Sequence, residues 1–166
     1  MLLYKKLEIN LHDIISGFNI DYEIFKWGNF YEYLTDIKID DVNKVLDNNF
    51  KITKFPKSVN LTKIEPPGVG IHTDEWNAAI NIYLTAQSSV TKFYATKHTK
   101  TDDQNTFSQD SVELVDQICP QKKDILLINT SIPHSVTIPI EDGDRYILRI
   151  LWGKTHTFDE IYKEFT

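Results

Sequence analysis

The sequence contains one cysteine, Cys119, in 166 residues. A single thiol cannot form an internal disulfide or a thiolate metal site, and this fits a reducing compartment. Long apolar runs are missing as well: no segment approaches the roughly 20 residues of a membrane-spanning helix, and the N-terminus has no sustained apolar stretch. We therefore expect a cytoplasmic protein with no membrane partner.

Positive charge is also scarce. Lysine and arginine number 18 against 24 acidic residues, for a formal net charge of -6. Without a basic excess, the chain lacks the usual electrostatic attraction to a phosphate backbone, so we expect no nucleic-acid partner. The length and a hydrophobic fraction of 41% are those of one domain, which buries roughly 70% of its unfolded surface.

The residue patterning changes near residue 58, from helix-like spacing to short segments separated by turns. Over residues 22–34, aromatic and aliphatic side chains interleave with charges at a spacing that predicts an amphipathic helix. Asp40 or Asp41 is expected to cap a second short helix that runs through Leu46. Within a single domain we predict an N-terminal helical lead-in packed on the core, a β core and a C-terminal helical tail, at residues 1–58, 59–153 and 154–166.

About eight segments either alternate apolar and polar residues or form short apolar runs between turn residues, as strands do. They lie at residues 49–55, 58–64, 78–84, 89–94, 112–115, 125–129, 134–140 and 145–152. This is the number of strands in a double-sheet jelly roll, so the fold class that we expect is mainly β with flanking helices.

The motif with the clearest chemistry is His72-Thr73-Asp74, followed 60 positions after Asp74 by His134. Residues two apart in a strand project to the same face, so His72 and Asp74 are expected to point together into the mouth of the barrel. His134 begins a later strand candidate that can present a third ligand. Two imidazoles and one carboxylate give ferrous iron three protein ligands and leave three positions open.

Arg145 and Arg149 lie four residues apart on the final strand candidate and therefore share a face. If that face is inward, a buried guanidinium costs several kcal/mol unless an anion meets it, and an anionic ligand beside the metal is implied. The alternative is that both arginines lie on the outer face and pair with surface acids such as Glu141 or Asp142. The strand pattern alone does not decide between these arrangements.

Several segments resemble a known family, the iron(II)- and 2-oxoglutarate-dependent oxygenases, which are built on the double-stranded β-helix, a cupin-like jelly roll. The matching segments are Glu65-Pro-Pro-Gly-Val-Gly-Ile-His-Thr-Asp74, Ala79-Ile-Asn-Ile-Tyr-Leu84, Thr91-Lys-Phe-Tyr94, Asp124-Ile-Leu-Leu-Ile-Asn-Thr-Ser-Ile-Pro-His-Ser-Val136 and Arg145-Tyr-Ile-Leu-Arg149. The resemblance covers residues 59–153 and is to the small bacterial and phage-encoded branch. That branch is similar to the aspartyl/asparaginyl hydroxylases, which lack the carboxylate ligand that Asp74 supplies here.

The resemblance implies a catalytic metal site in which His72, Asp74 and His134 bind Fe(II). It also implies that Arg145 pairs with the distal carboxylate of 2-oxoglutarate, with Arg149 as the second choice. Three further residues are on strands that line the pocket in such enzymes and are implied to hydrogen-bond the cosubstrate or substrate: Asn81, Tyr83 and Thr91.

The implied reaction is hydroxylation of an unactivated C–H bond of a small molecule, an amino acid or a peptide side chain, with consumption of O2 and release of succinate and CO2. Related halogenases carry a small residue where this chain has Asp74, so hydroxylation is preferred over halogenation. Trp76 and residues 97–110 are candidates for the mouth that selects the substrate. Arg149 is a hypothetical partner for a substrate carboxylate if Arg145 holds the cosubstrate.

Two other readings stay open on the sequence. One is a non-catalytic cupin-like or jelly-roll module that binds a metal or another ligand, and the other is a cupin enzyme with different metal chemistry. The remaining histidines, His12, His98 and His156, are expected at the surface or in satisfied positions. A loop metal site built from His98, Asp102 and Asp103 is not favoured, because loop spacing fixes no geometry.

Overall fold

Two antiparallel β-sheets pack face to face in this protein. The computed structural model describes residues 1–85, 88–98 and 105–166. Its strands are β1 Tyr4–Lys6, β2 Ile20–Trp27, β3 Phe30–Thr35, β4 Ser58–Ile64, β5 Gly68–His72, β6 Ala78–Tyr83, β7 Val90–Thr96, β8 Val112–Ile118, β9 Ile125–Asn129, β10 His134–Thr137 and β11 Arg145–Leu151. Its α-helices are α1 His12–Ile15, α2 Ile39–Phe50 and α3 Phe158–Glu164.

The pairing of the last eight strands defines the fold. The first of them, β4, pairs antiparallel with the last, β11, and the same nesting continues inward as β5 with β10, β6 with β9 and β7 with β8. The nested pairs form a seven-stranded sheet of order β1-β9-β6-β11-β4-β3-β2 and a four-stranded sheet of order β5-β10-β7-β8. This is the arrangement of a double-stranded β-helix, or jelly roll, and it confirms the predicted fold class.

The larger sheet is buried on both faces along its centre. One apolar cluster lies between the two sheets and includes Phe93, Ile128 and Ile147. A second lies on the other face of the larger sheet, where Leu46 of α2 and Ile161 of α3 pack with sheet residues. A strand covered on both faces reads as a continuous apolar run, which explains the sequence of β9.

The predicted helix over residues 22–34 is wrong, and the lead-in is therefore not helical throughout. Residues 20–35 form the hairpin of β2 and β3, which extends the larger sheet beyond β4. Gly28, at φ +56°, occupies the turn between the strands in a left-handed conformation that favours glycine. The aromatic residues on either side of this glycine suit a strand better than a helix.

Other local predictions have mixed outcomes. The second helix is confirmed as α2, but its N-cap residue is Lys38, and Asp40 and Asp41 lie in its first turn, where acids complement the helix dipole. The predicted strand at residues 49–55 is wrong, since α2 continues to Phe50 and no strand follows until β4. The tail helix is confirmed as α3, and the division of the chain at residues 58 and 153 stays a prediction.

The other seven predicted strands are confirmed to within a few residues as β4 and β6–β11. Within the part of the chain that the structure describes, no helix is both long enough and apolar enough to cross a membrane.

A close backbone approach at Gly68 yields a stability prediction. Gly68 has φ +116°, and a Cβ built there would lie 1.9 Å from the carbonyl oxygen of Val136 on β10. We expect Gly68→Ala to destabilise the protein by at least about 2 kcal/mol. The φ angle is strained for alanine, and the added methyl group would collide with β10 unless the β5–β10 pairing shifted. Gly70→Ala is the matched control, since a Cβ at Gly70 meets nothing within 4 Å. Urea denaturation of both variants checks this, and equal stabilities would contradict it.

The C-terminal helix is fastened by Glu164, whose carboxylate accepts hydrogen bonds from the backbone N–H groups of Thr53 and Lys54, each at 2.8 Å. Burial opposes ionisation, but the hydrogen bonds from the Thr53 hydroxyl, from these two N–H groups and from the Lys54 ammonium lower the pKa of Glu164 to about 2. A depressed folded-state pKa adds stability above the unfolded value of 4.5, and this stability is lost as the pH falls through the folded value.

We therefore expect Glu164→Gln to lower the free energy of unfolding by about 1–2 kcal/mol at pH 7, because hydrogen bonds to a charged group are lost. The difference from the parent protein should shrink as the pH falls from 4.5 toward 2. Glu113→Gln, at an exposed position of β8, is the control. A pH-independent difference between the parent protein and Glu164→Gln would contradict the assignment.

Candidate metal centre

His72 and His134 are direct neighbours across the antiparallel pair β5–β10. Their ring centroids are 4.4 Å apart. Asp74 lies two residues beyond the end of β5, and its backbone N–H donates to the carbonyl oxygen of Thr130 at 3.0 Å. The pairing register and this backbone bond together bring all three side chains to one place.

The hydrogen bonds of the two imidazoles fix which nitrogen can bind a metal. Nδ1 of His72 lies 2.7 Å from the carbonyl oxygen of Gly70, and Nδ1 of His134 lies 2.8 Å from that of Ile132. Because a carbonyl oxygen only accepts, Nδ1 carries a proton in each ring, and Nε2 is the nitrogen left to bind a metal. Nε2 of His72 and of His134 lie 3.2 Å and 3.7 Å from Oδ1 of Asp74.

These three residues form a preorganised ligand set. One candidate ligand atom from each residue lies within 4.8 Å of the others. Burial, followed by the proximity of His72, lowers the pKa of His134 to about 4, so its ring is neutral at pH 7. Burial opposes ionisation of Asp74, but Arg149 and the two histidines outweigh it and hold the pKa of this carboxyl well below its usual range. Neutral imidazole and ionised carboxylate are the forms that bind metals.

The second oxygen of Asp74 is held by Arg149. One terminal nitrogen of the Arg149 guanidinium donates to Oδ2 of Asp74, and the other donates to Oε1 of Glu32 at 3.2 Å. The two carboxylates outweigh burial and raise the pKa of Arg149, whereas burial raises the pKa of Glu32 against the opposing effect of Arg149. Oδ1 of Asp74 therefore stays turned toward the imidazoles.

Arg145 is also inward and buried, with 2% of its surface exposed. Its two terminal nitrogens donate to the hydroxyl oxygen of Thr91, across the gap between the sheets, at 3.3 Å and 3.2 Å. Its guanidinium lies 4.8 Å from the centre of the Tyr83 ring, and burial lowers its pKa. Among the described residues, Arg145 has no carboxylate within salt-bridge distance. The alternative that both arginines lie on the outer face and pair with surface acids is wrong.

A narrow cavity of about 40 Å³ between the sheets joins the metal ligands to Arg145. Its walls are largely apolar, but three buried polar atoms on it have no hydrogen-bond partner: Thr62 Oγ1, Asn81 Oδ1 and Arg145 Nε. Buried polar atoms are normally paired, so these three offer hydrogen bonds to water or to a polar ligand in the cavity. Arg145 and Arg149 are separated by about 13 Å of strand, and the cavity extends along β11 from Arg145 to Arg149, which contacts Asp74.

The structure places the other predicted cofactor-binding residues around this cavity. Asn81 and Thr91 line it, while Tyr83 lies beneath Arg145 and receives a hydrogen bond from Nδ2 of Asn81 at 3.3 Å. Their contacts to a cosubstrate or substrate stay predictions.

A second, wider cleft of about 480 Å³ opens on the outer side of the metal ligands. Its lining combines aromatic and polar groups: Phe25, Trp27, Phe30, Glu32, His72, Thr73, Asp74, Glu75, Trp76, Asn105, Thr106 and Arg149. Trp76 and part of the 97–110 segment lie at this cleft, in line with their predicted place at the mouth. Residues 99–104, which include Asp102 and Asp103 of the unfavoured loop metal site, lie outside the described residues.

Sequence reasoning missed the contribution of the β2–β3 hairpin. Glu32, Phe30 and Trp27 were all part of the predicted helix, and a helix would not have placed them at the metal ligands. Trp27 instead lies edge-on to His72, with ring centroids 5.3 Å apart. Of residues 1–85, 88–98 and 105–166, only His72, Asp74 and His134 form a potential metal-binding cluster, and His12, His98 and His156 are not part of one.

Comparison with known proteins adds little. No protein-family model matches the chain, and no curated protein sequence matches it. Similar solved structures include hazelnut vicilin from Corylus avellana (10% identity, TM-score 0.47), which covers 80% of this chain and 31% of its own. They also include a mutant of the oxalate decarboxylase OxdC of Bacillus subtilis (16%, 0.44), covering 80% and 28%. A third is the Escherichia coli ribosomal oxygenase YcfD (14%, 0.43), covering 86% and 37%. The chain spans about a third of the length of these proteins. The fold assignment rests on the strand order and pairing of this protein itself.

The buried contact of Glu32 with Arg149 yields a prediction about the metal ligands. Glu32→Gln keeps the shape of the side chain but removes the charge that compensates Arg149. We expect Mn(II), a redox-stable probe of the site, to bind about 10- to 100-fold more weakly, because groups that orient a metal ligand have effects of this size. Isothermal titration calorimetry measures the affinity for Mn(II). Glu23→Gln, at an exposed acid of the same hairpin, is the matched control, and equal affinities in the two variants would contradict the role of Glu32.

Proposed function

We propose that this protein is an iron(II)- and 2-oxoglutarate-dependent dioxygenase that hydroxylates an unactivated C–H bond. The observation that carries the proposal is the position of Arg145, a buried guanidinium without a carboxylate partner among the described residues, in the same cavity as the His72, Asp74 and His134 cluster. A structural metal site has no need for such an arginine. A dicarboxylate cosubstrate that chelates the metal needs both the metal site and a buried arginine for its second carboxylate.

In the proposed reaction, the substrate C–H, O2 and 2-oxoglutarate give the substrate C–OH, succinate and CO2. One oxygen atom enters the new hydroxyl group and the other enters the new carboxylate of succinate. The ferrous ion, when bound, would supply the activation of O2 and of the 2-oxo acid. Nε2 of His72, Nε2 of His134 and Oδ1 of Asp74 would hold it, and these three ligands leave the remaining positions for the reactants.

Arg149 and Arg145 have different tasks in this proposal. Arg149 is committed to Asp74 and Glu32, so it serves as a positioning residue for the metal carboxylate. Arg145 is the better partner for the distal carboxylate of 2-oxoglutarate, since a guanidinium matches a carboxylate with two parallel hydrogen bonds. Thr91 orients the guanidinium, and Asn81 and Thr62 offer the cosubstrate further polar contacts.

The cavity walls have a task as well. Ile64, Val69, Ile128, Val136 and Ile147 surround the space between Arg145 and the metal ligands. These side chains exclude water, and the lower local dielectric strengthens the interaction of Arg145 with an anion. The substrate approaches from the outer cleft, which shares His72 and Asp74 with the inner cavity. We expect the substrate to be a small molecule, an amino acid or a peptide side chain.

Anaerobic titration of iron(II) and then 2-oxoglutarate into the metal-free protein tests the proposal through the visible charge-transfer band of the chelate. We expect the parent protein to develop the band and His72→Ala to show none. Arg145→Ala should raise the Kd for 2-oxoglutarate about 30-fold or more, because a charged hydrogen-bonded partner of a buried anion is removed. The Kd of Arg145→Lys for 2-oxoglutarate should lie between those of the parent protein and Arg145→Ala.

Lys122→Ala, which removes a cation at an exposed position, is the control and should behave like the parent protein. Metal binding without a band would contradict the dioxygenase and favour a cupin-like metal- or ligand-binding module or a cupin enzyme with different metal chemistry.

A further inference from the structure

The outer cleft has an aromatic wall that the β2–β3 hairpin builds. Phe25 and Trp27 are large aromatic side chains that stay 50% and 41% exposed, and they face the cleft together with Phe30. Trp76 adds a fourth aromatic group from the segment after β5. Exposed aromatic side chains scattered singly over a surface are common, but several that converge on one concave surface are typical of a binding site.

The orientation of this wall comes from two irregularities in β2. The β2–β3 register shifts between Ile20 and Glu23 and again between Glu23 and Phe25. After the second shift, Phe25 pairs with Glu32 and Trp27 with Phe30. Directly paired residues project to the same face, so the shifts turn Phe25 and Trp27 to the side of the sheet on which Glu32 and Phe30 lie.

The charge of the cleft is acidic. Its lining contains three carboxylates, Glu32, Asp74 and Glu75, and among the described residues a single arginine, Arg149. The positive charge of Arg149 is taken up by Asp74 and Glu32. Glu75 is exposed and forms no salt bridge with a described residue. Because the formal charges of a ferrous ion and of 2-oxoglutarate cancel, the acidic balance persists when both are bound.

We infer that the substrate group in this cleft is a cation on an aliphatic stem, that is, an alkylamine or alkylguanidine. This inference rests on the proposed function and names the substrate class of the same site. Aromatic faces attract a cation by their quadrupole, and Glu75 adds a counter-charge. The same groups disfavour an anion, because like charges in a cleft repel each other.

The inference also replaces the hypothesis that Arg149 binds a substrate carboxylate. A substrate anion would have to displace Asp74 or Glu32 from Arg149, at the cost of a buried charge without a partner. The contact of Trp27 with His72 puts the aromatic wall directly beside a metal ligand. A cation held by Trp27 and Glu75 therefore presents its aliphatic stem to the metal, where one C–H becomes C–OH with the stoichiometry given above.

The experiment uses protein loaded with iron(II) and 2-oxoglutarate and measures succinate formation in air. The probes are the Nα-acetyl amides of lysine and arginine, with those of norleucine and glutamate as the neutral and anionic comparisons. Norleucine keeps the lysine stem without its amine. We expect at least one cationic probe to stimulate succinate formation about fivefold more than norleucine does, the size of effect that a cation–aromatic contact gives. Mass spectrometry should find one added oxygen atom on that probe.

Two sources of this chemistry are separated by further probes. Free lysine and arginine represent small-molecule substrates, and alanine-flanked pentapeptides that contain lysine or arginine represent polypeptide substrates. Stimulation of succinate formation by either set of probes supports the inference. The set that stimulates more strongly shows whether the substrate is a small molecule or a polypeptide.

Variants of the cleft test the named contacts. Glu75→Gln and Trp27→Leu should each raise the KM of the active cationic probe about three- to tenfold with little change in kcat, because each removes one attraction to the cation. Glu113→Gln, an exposed acid of β8 away from the cleft, is the matched control. Thermal unfolding of each variant shows that the fold is retained.

The inference is overturned if norleucine or glutamate amides act as well as the cationic probes, or if no cationic probe acts while the charge-transfer band forms normally. The second outcome leaves the proposed function in place. An unchanged KM in both Glu75→Gln and Trp27→Leu also overturns it. Failure of the parent protein to form the band instead removes the proposed function itself.

Discussion

The buried side chains of Glu32 and Arg149 and the largely buried carboxylate of Asp74 form one chain of ion pairs that the candidate metal centre depends on. Carboxylates that compensate the buried guanidinium of Arg149 and accept its hydrogen bonds offset the cost of burying it. The same compensation fixes Asp74, which lies beyond the end of β5 and has no neighbouring strand to set its side chain. Because Arg149 binds Oδ2, the other oxygen of Asp74 faces the two imidazoles.

The two arginines of β11 show how one strand face can serve two purposes. Both point between the sheets, four residues apart, but their surroundings differ in charge. Arg149 meets two carboxylates of the protein, whereas Arg145 meets a threonine hydroxyl and an aromatic ring. A buried cation with no carboxylate partner among the described residues is costly for the folded protein, and an anionic ligand offsets that cost. Under the proposed function, this difference gives Arg149 a structural role and Arg145 a binding role.

The sequence was informative where the chemistry is local or periodic. The two-residue spacing of His72 and Asp74 predicted that their side chains come together, although Asp74 lies beyond the end of β5 rather than within a strand. The strand candidate that begins at His134 is confirmed as β10. Glu32 left no comparable signal, since it meets Arg149 across 117 positions of the chain. The 22–34 segment misled because interleaved aromatic and charged residues fit a helical period as well as a strand with bulges. Pairing with β4, a tertiary interaction, decides for the strand.

The β2–β3 hairpin, which lies outside the eight core strands, contributes to the wall between the inner cavity and the outer cleft. The inner cavity and the outer cleft share four lining residues, Phe30, His72, Asp74 and Arg149, so these form the wall between the two spaces. Two of the four belong to the metal cluster, and Phe30 comes from the hairpin. Glu32, from the same strand, holds Arg149 in that wall. Under the proposed function, a group that binds against the hairpin would contact the element that positions Asp74. A ligand of Arg145 and a ligand of the aromatic cleft would then reach the metal cluster through these two separate spaces.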